Sequence, residues 1–136
     1  MLVLSGAAAL VYQMLWIKQL SLIVGVDVYA ITIAIGGFFG GLAVGGLIFG
    51  HLADHAARPY LIYVWLEAGV AILGVGATQL LARSAETFVL VQSVAGPLAW
   101  LIPLTLVGVP AILMGGTVPV LVRSVSADND DLARVG

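Results

Sequence analysis

Cysteine is absent from this sequence, and charged residues are scarce. Without cysteine the chain can form neither a disulfide framework nor a thiolate metal site. Charged residues make up 9% of the 136 residues, and the formal net charge of −2 is too small to indicate nucleic acid as a partner. The five basic residues are too dispersed along the chain to form a patch. The composition therefore argues against a secreted disulfide scaffold and against a nucleic-acid-binding protein.

Apolar residues, in contrast, are abundant and fall in long blocks. Hydrophobic residues make up 62% of the chain, and the mean hydropathy is +1.16. A helix needs about 20 apolar residues to cross the hydrocarbon core of a bilayer. Four segments reach that length, at about 2–24, 28–50, 60–82 and 97–122. We therefore predict an all-α integral membrane protein with four transmembrane helices in residues 1–125 and a cytoplasmic segment at 126–136.

The basic residues near the ends of these segments predict the orientation. The first segment does not resemble a cleaved signal peptide, since no basic region precedes it and Lys18 lies within it. Cytoplasmic loops of membrane proteins carry an excess of lysine and arginine. A cytoplasmic N-terminus places three basic residues inside and two outside, namely Arg58, Arg123 and Arg134 against Lys18 and Arg83. We expect both termini in the cytoplasm and the lipid bilayer around the helices.

The segment at 83–96 is long and half apolar. It is compatible with a short helix at the membrane interface, capped by Ser84, that places Phe88, Val91 and Val94 in the lipid boundary. An irregular outer loop is equally compatible with this composition.

Small residues follow one another along the second predicted helix at spacings of three and four. The first stripe consists of Ala30, Ala34, Gly37, Gly41 and Gly45. A second set lies roughly a quarter-turn away and consists of Gly36, Gly40, Ala43 and Gly50. In lipid, such stripes permit close packing of helix backbones. We expect this helix to pack between two neighbours, while self-association through the stripe is an alternative.

The fourth predicted helix is rich in proline and glycine. Its prolines are Pro97, Pro103, Pro110 and Pro119. Each proline inside a helix removes one backbone hydrogen bond, so we expect a kink or break near Gly115. In transporters such breaks often mark a binding site. The alternative is a kinked packing helix in which the Thr117 hydroxyl satisfies a freed carbonyl.

Few polar side chains lie within the predicted spans, and polar groups at membrane depth are costly. The candidate cavity residues are Gln13, Lys18, Glu67 and Thr117. Lys18 lies near the outer end of its span and can extend toward Asp27. Glu67 is expected to be protonated or paired with Arg58 or Arg123.

Gln13 has two expected positions, and the two histidines do not predict a metal site. Gln13 either lines a cavity or makes an interhelical hydrogen bond. His51 and His55 are one helical turn apart, but only Asp54 accompanies them, so we predict no metal site. No pattern for a bound cofactor is present.

The stretch "GHLADHAARP" at 50–59 resembles the cytoplasmic signature between helices two and three of the major facilitator superfamily. The matching residues are Gly50, Asp54 and Arg58, whereas His55 stands where the signature usually has a basic residue. Together with three further stretches, it resembles the membrane portion of bacterial spermidine-synthase-like fusion proteins. These stretches are "SGAAALVYQMLWIKQLSLIVG" at 5–25, "LIYVWLEAGVAIL" at 61–73 and "MGGTVPVLVR" at 114–123.

This resemblance implies a fold like the first helices of a facilitator-type bundle, a bacterial inner-membrane location and a polyamine-related activity. It also implies further transmembrane helices after residue 126. The aminopropyltransferase half of those proteins has a doubly wound fold, a glycine-rich acidic motif and substrate-binding aspartates, and this sequence contains none of them. We therefore expect a non-catalytic membrane module, without a cofactor, that anchors or supports such an activity.

The residues alone are compatible with two other functions. A structural subunit of a larger membrane complex would bury Gln13 and Glu67 against neighbouring helices. A small transporter acting as an oligomer needs a hydrated path, so the same two side chains should face a shared cavity. The position of these side chains therefore distinguishes the two functions.

Overall fold

The computed structural model describes residues 2–24 and 28–135, which are helical apart from a short turn at 55–58 and Ser84. The helices are α1 (Leu2–Val24), α2 (Val28–Asp54), α3 (Pro59–Arg83), α4 (Ala85–Ala95), a 3-10 helix (Gly96–Trp100) and α5 (Leu101–Val135). No strand is present in these two ranges. The predicted all-α class is confirmed.

Three helical stretches in the described part of the chain are long and apolar enough to cross a membrane. They are Ile31–Asp54, Pro59–Arg83 and Glu86–Ser126. They indicate an integral membrane protein. Helix α1 is not among them. A fourth membrane crossing is therefore not confirmed.

Helix α5 is continuous through the region where a break was expected. It contains Pro110 and Pro119 and continues through Gly115 and Gly116, so the predicted break is wrong, while the alternative of a kink stays a prediction. A proline in a membrane helix is tolerated when neighbouring helices support the chain around it. Here α5 has α2 packed on one side and α3 on the other. The helix also extends past the predicted end at 122 as far as Val135.

The long helices α1, α2, α5 and α3 follow one another in that order around a ring. The largest contact is between α2 and α5, followed by α3 with α5, α1 with α2, and α1 with α3. Helices α2 and α3 are joined by the short turn at 55–58, yet they lie across the ring and make little direct contact. The ring leaves a central space to which all four helices contribute.

Trp16 connects α1 to α3. Its side chain is fully buried, and its Nε1 donates a hydrogen bond of 3.0 Å to Thr78 Oγ1. The Thr78 hydroxyl in turn donates to the Gly74 carbonyl at 2.8 Å. Tyr12 stacks on the Trp16 ring with centroids 5.5 Å apart. This arrangement satisfies the only polar atom of a buried indole and determines how α1 lies against α3.

The first small-residue stripe of α2 lies against α5. Ala34, Gly37, Gly41 and Gly45 are buried, while the side chain of Ala30 lies outside the described residues. A Cβ atom at Gly41 would lie 2.7 Å from Ala111 Cβ. One at Gly45 would overlap the carbonyl oxygen of Ile112, and one at Gly115 of α5 would overlap that of Leu42. Glycines on both α2 and α5 therefore allow the two helix backbones to approach closely.

The second small-residue set does not pack against another helix in the same way. Gly36, Gly40 and Ala43 are exposed, and a Cβ atom at Gly36 or Gly40 would meet nothing within 4 Å. Gly50 alone of this set approaches α5, where its Cβ would lie 3.6 Å from Pro119 Cβ. The prediction of two packed small faces is therefore wrong for most of the second face in the described chain.

The segment at 83–96 is a helix, α4, rather than an irregular loop. Ser84 does not cap it with its side chain, because the hydroxyl donates instead to the Leu81 carbonyl at 3.0 Å. Phe88 is buried and meets the Trp100 ring edge-on at 5.5 Å, so its predicted position in the lipid boundary is wrong. Val94 is exposed.

An ion pair connects the end of α2 to α5. Arg123 Nε lies 3.6 Å from Asp54 Oδ1, and the two side chains are 47% and 63% exposed. Exposed pairs of this kind contribute little to stability because water and salt screen them.

We expect Asp54→Asn to lower the free energy of unfolding by less than about 1 kcal/mol. Thermal unfolding in mild detergent, followed by tryptophan fluorescence, measures the change. Arg123→Gln and the double variant complete a mutant cycle that isolates the pair. A coupling well above this value, or one that persists at about 1 M salt, would contradict the expectation.

Candidate functional site

A cavity of about 330 Å³ lies in the centre of the ring formed by the long helices. Its size is at the lower end of the range for ligand pockets. Its lining residues are Gly6, Ala9, Leu10 and Gln13 from α1, Phe38, Phe39 and Leu42 from α2, Tyr63 and Glu67 from α3, and Met114, Thr117 and Val118 from α5.

The polar side chains of this cavity lie deep within their helices. At about 1.5 Å per residue, Gln13 is roughly 17 Å from the start of α1, and Glu67 is roughly 12 Å from the start of α3. The hydrocarbon core of a bilayer is about 30 Å thick. Both side chains therefore lie more than two turns inside their helices, at a distance from the helix start that corresponds to membrane depth in a spanning helix.

Glu67 is the one acidic residue of the lining, which contains no basic residue within the described chain. Its Oε1 atom is buried and has no hydrogen-bond partner. The Tyr63 hydroxyl, one helical turn earlier, lies close to the same carboxyl group. A buried oxygen without a donor is costly, so this position favours a ligand that donates a hydrogen bond.

The expected ion pair of Glu67 with an arginine is absent from the described residues. Arg123 pairs with Asp54 instead, and Arg58 is exposed at the residue before α3. The prediction of pairing with either arginine is therefore wrong. The reason is position, because Arg58 precedes α3 and Arg123 lies beside Asp54 at the end of α2, while Glu67 lies more than two turns inside α3.

The Thr117 hydroxyl donates a hydrogen bond of 2.7 Å to the carbonyl of Met114. Proline removes the hydrogen bond to the carbonyl four residues earlier, so Pro119 frees the carbonyl of Gly115 and not that of Met114. The prediction that Thr117 satisfies a proline-freed carbonyl is therefore wrong. Because its proton is already donated, the Thr117 oxygen can only accept a hydrogen bond from the cavity.

Gln13 and Lys18 are on the same helix but occupy different environments. Gln13 lines the cavity, which is the first of its two predicted positions. Lys18 is exposed and does not contribute to the lining. Five residues correspond to a rotation of about 140° around a helix, so the two side chains cannot share a face. The predicted partner of Lys18, Asp27, lies outside the described residues, and that pairing stays a prediction.

The signature-like residues lie at one end of the bundle and not in the cavity. Asp54 pairs with Arg123, Gly50 approaches Pro119, and Arg58 is exposed. Nearby, the ring centroids of His51 and His55 are 4.6 Å apart, and His55 Nδ1 donates to the His51 carbonyl at 2.9 Å. The described residues contain no group of three or more histidine, cysteine, aspartate or glutamate side chains placed to hold a metal ion.

Tyr63, Phe38 and Phe39 also line the cavity, although they were not among the predicted cavity residues. Tyr63 precedes Glu67 by four residues, a spacing that places two side chains on the same helix face. That signal was present in the sequence. Phe38 and Phe39 carried no such signal, because an apolar side chain in an apolar helix is equally compatible with lipid, core or cavity.

Comparison of the chain with models of known protein families, with characterised proteins and with solved structures gives no match. The likeness to spermidine-synthase-like proteins therefore depends on the sequence stretches alone. The chemistry of the cavity has to support any functional proposal.

Proposed function

We propose that this protein is a non-catalytic integral membrane module that binds a small organic cation in the Glu67 cavity. One observation supports this proposal above the others. Gln13, Glu67 and Thr117, from three different helices, line the same cavity, and Glu67 presents a buried oxygen without a hydrogen-bond partner. A cation at this oxygen would stabilise the ionised carboxylate, which is otherwise costly at membrane depth.

The shared cavity favours a binding or transport role over a purely structural one. A structural subunit requires its polar side chains to be buried against neighbours. Here Gln13 and Glu67 instead face a common space of about 330 Å³. We propose that the chain acts in transport or delivery of its ligand, as an oligomer or with other membrane subunits.

The proposal also includes the number and orientation of the helices in the membrane. Helix α1 has 23 residues, which at about 1.5 Å per residue is enough to cross a bilayer core of about 30 Å. We propose that it is the fourth membrane-spanning helix of a bundle like the first part of a facilitator-type fold. Arg58, in the turn after α2, and Arg123, beside Asp54, support cytoplasmic termini, and we place the protein in a bacterial inner membrane. An amine ligand is the part of the expected polyamine-related activity that this proposal retains.

A structural role is the second candidate, and the exposed small face of α2 supports it. Gly36, Gly40 and Ala43 are exposed, and small residues permit close helix packing in lipid. Native electrophoresis and mass determination of the detergent-purified chain distinguish the two functions. Stoichiometric copurification with other subunits, together with failure to bind any cation, would favour the structural role.

We expect Glu67→Gln to weaken the binding of an organic cation by about 10-fold to 100-fold, because a charge-assisted hydrogen bond contributes about 1.5 to 3 kcal/mol. Isothermal titration of the detergent-purified protein with n-pentylamine and with cadaverine measures this change. Glutamine has nearly the shape of glutamate, so the cavity should persist.

Glu86→Gln is the matched control for this prediction. It removes the same charge from an exposed position on α4 that does not line the cavity. This variant should bind both amines as the unchanged protein does. The proposed function is wrong if neither amine binds, or if the Glu67 and Glu86 variants behave alike.

A further inference from the structure

We infer that the Glu67 cavity is specific for a single primary ammonium group on an apolar body, that is, for a monoamine and not for a polyamine. This inference depends on the proposed function and names the ligand class of the same site. It follows from the hydrogen-bonding capacity, the charge and the apolar lining of the cavity.

The polar atoms facing the ligand include two that only accept hydrogen bonds. Glu67 Oε1 is buried without a donor. Thr117 has already given its proton to the Met114 carbonyl at 2.7 Å, so its oxygen offers lone pairs alone. A primary ammonium group supplies three N–H donors and no acceptor. Its donor pattern therefore complements these two oxygens, and Gln13 can add a third through its amide oxygen.

The charge of the cavity permits one ammonium group and not two. Glu67 is the single carboxylate among the lining residues of the described chain. The nearest alternative along the chain, Asp54, is exposed at a helix end and pairs with Arg123. A second ammonium group would therefore be desolvated at membrane depth without a counter-charge, which is strongly unfavourable. Putrescine, cadaverine and spermidine all carry such a second group.

The rest of the lining indicates an apolar body on the ligand. Ala9, Leu42, Met114 and the rings of Phe38 and Phe39 make up much of the wall. A bare alkali cation would leave most of the 330 Å³ unfilled. An alkyl or aryl group attached to the ammonium would fill the space and contact these side chains.

The same lining excludes a phospholipid headgroup as the source of the amine. Phosphatidylethanolamine also presents a primary ammonium group, but its phosphate must enter with it. No lysine, arginine or histidine lines the cavity within the described chain. The phosphate would then lie near the Glu67 carboxylate without a basic partner. We therefore assign the site to a free monoamine.

The test compares three ligands of equal chain length on the detergent-purified full chain. They are n-pentylamine with one ammonium group, cadaverine with two, and n-pentanol with none. Titration into protein-free micelles corrects for partitioning. We expect n-pentylamine to bind about tenfold or more tightly than either of the others, and Glu67→Gln to remove its advantage over n-pentanol.

A second variant tests the inference even if Glu67→Gln does not fold. Thr117→Val keeps the branched shape at Cβ and removes the acceptor oxygen. We expect it to weaken n-pentylamine binding by about tenfold, the lower end of the range for losing one hydrogen bond to a charged group, and to leave n-pentanol binding unchanged.

The outcomes separate this inference from the proposed function. If cadaverine binds as tightly as n-pentylamine and Glu67→Gln weakens both, the monoamine inference is overturned while the cation-binding function stands. If no ligand depends on Glu67, both fail. A further experiment repeats the n-pentylamine titration in nanodiscs with and without phosphatidylethanolamine. Displacement of n-pentylamine by that lipid would overturn the assignment to a free amine.

Discussion

Gly45→Ala is expected to destabilise the bundle by about 3 kcal/mol, at the upper end of the range for overpacking. The added methyl group would overlap the carbonyl oxygen of Ile112 on α5. A backbone atom cannot move aside by a change of rotamer, so the two helices must separate. Because α2 and α5 form the largest helix contact of the molecule, their separation should affect the whole ring.

Gly40→Ala is the matched control for this prediction. Gly40 is on the same helix, but its added Cβ would meet nothing within 4 Å. Alanine is a better helix former than glycine by about 1 kcal/mol in water, so this variant should be neutral or slightly more stable. The expected change in stability on adding a methyl group therefore reverses its sign between two glycines that are about one and a half turns apart on α2.

Fluorescence-detected gel filtration after a temperature ramp measures both glycine variants in the same detergent. We expect the melting temperature of Gly45→Ala to fall sharply and that of Gly40→Ala to stay at or above that of the unchanged protein. Equal melting temperatures for the two variants would show that α2 and α5 do not approach as closely as described.

Trp16→Ala is expected to cost about 3 kcal/mol, the lower end of the range for removing a buried aromatic side chain. The lower end applies because the transfer of apolar surface from water contributes little between helices in lipid. The loss comes from the emptied space beneath Tyr12 and from the hydrogen bond to Thr78. We expect α1 to detach from α3 more readily.

Trp65→Ala supplies the control, because Trp65 is 77% exposed while Trp16 is fully buried. This variant should change the melting temperature little. Trp16→Phe retains the ring but removes the donor to Thr78, so its cost should fall between those of the two alanine variants. A loss from Trp65→Ala as large as that from Trp16→Ala would contradict the assigned positions of the two indoles.

The helical class and the approximate helix limits could be predicted because both depend on local composition. Long apolar segments form helices in lipid, where every backbone polar group must be satisfied internally. Thus 2–24 coincides with α1 as described, and α3 begins at Pro59, a residue favoured in the first helical turn. The continuity of α5 through Gly115 could not be predicted, because it depends on support from the neighbouring helices.

The candidate site was predictable in part, since polar side chains in apolar helices are rare. Gln13, Glu67 and Thr117 stood out for that reason, and all three line the cavity. The same criterion also selected Lys18, which is exposed elsewhere. Rarity identifies a residue of interest, but it does not show which way a helix is rotated about its axis.

The partners of the charged residues depended on positions far apart in the chain. Arg123 and Asp54 are brought together by the contact of α2 with α5, and no local pattern relates them. Phe88 had the spacing of an interfacial residue, yet it packs against Trp100 inside the bundle. Both cases are contacts between different helices, which the spacing within one helix does not predict.

The sequence by itself determined the medium of this protein, its helical class and the small set of polar residues available at membrane depth. These properties follow from composition and local spacing, because the bilayer acts on each segment separately. The tertiary structure alone decided the ring order of the helices, the face of α2 that packs and the grouping of Gln13, Glu67 and Thr117 around one cavity. The physical reason is that helix rotation and neighbour choice depend on packing between segments, which no single segment encodes.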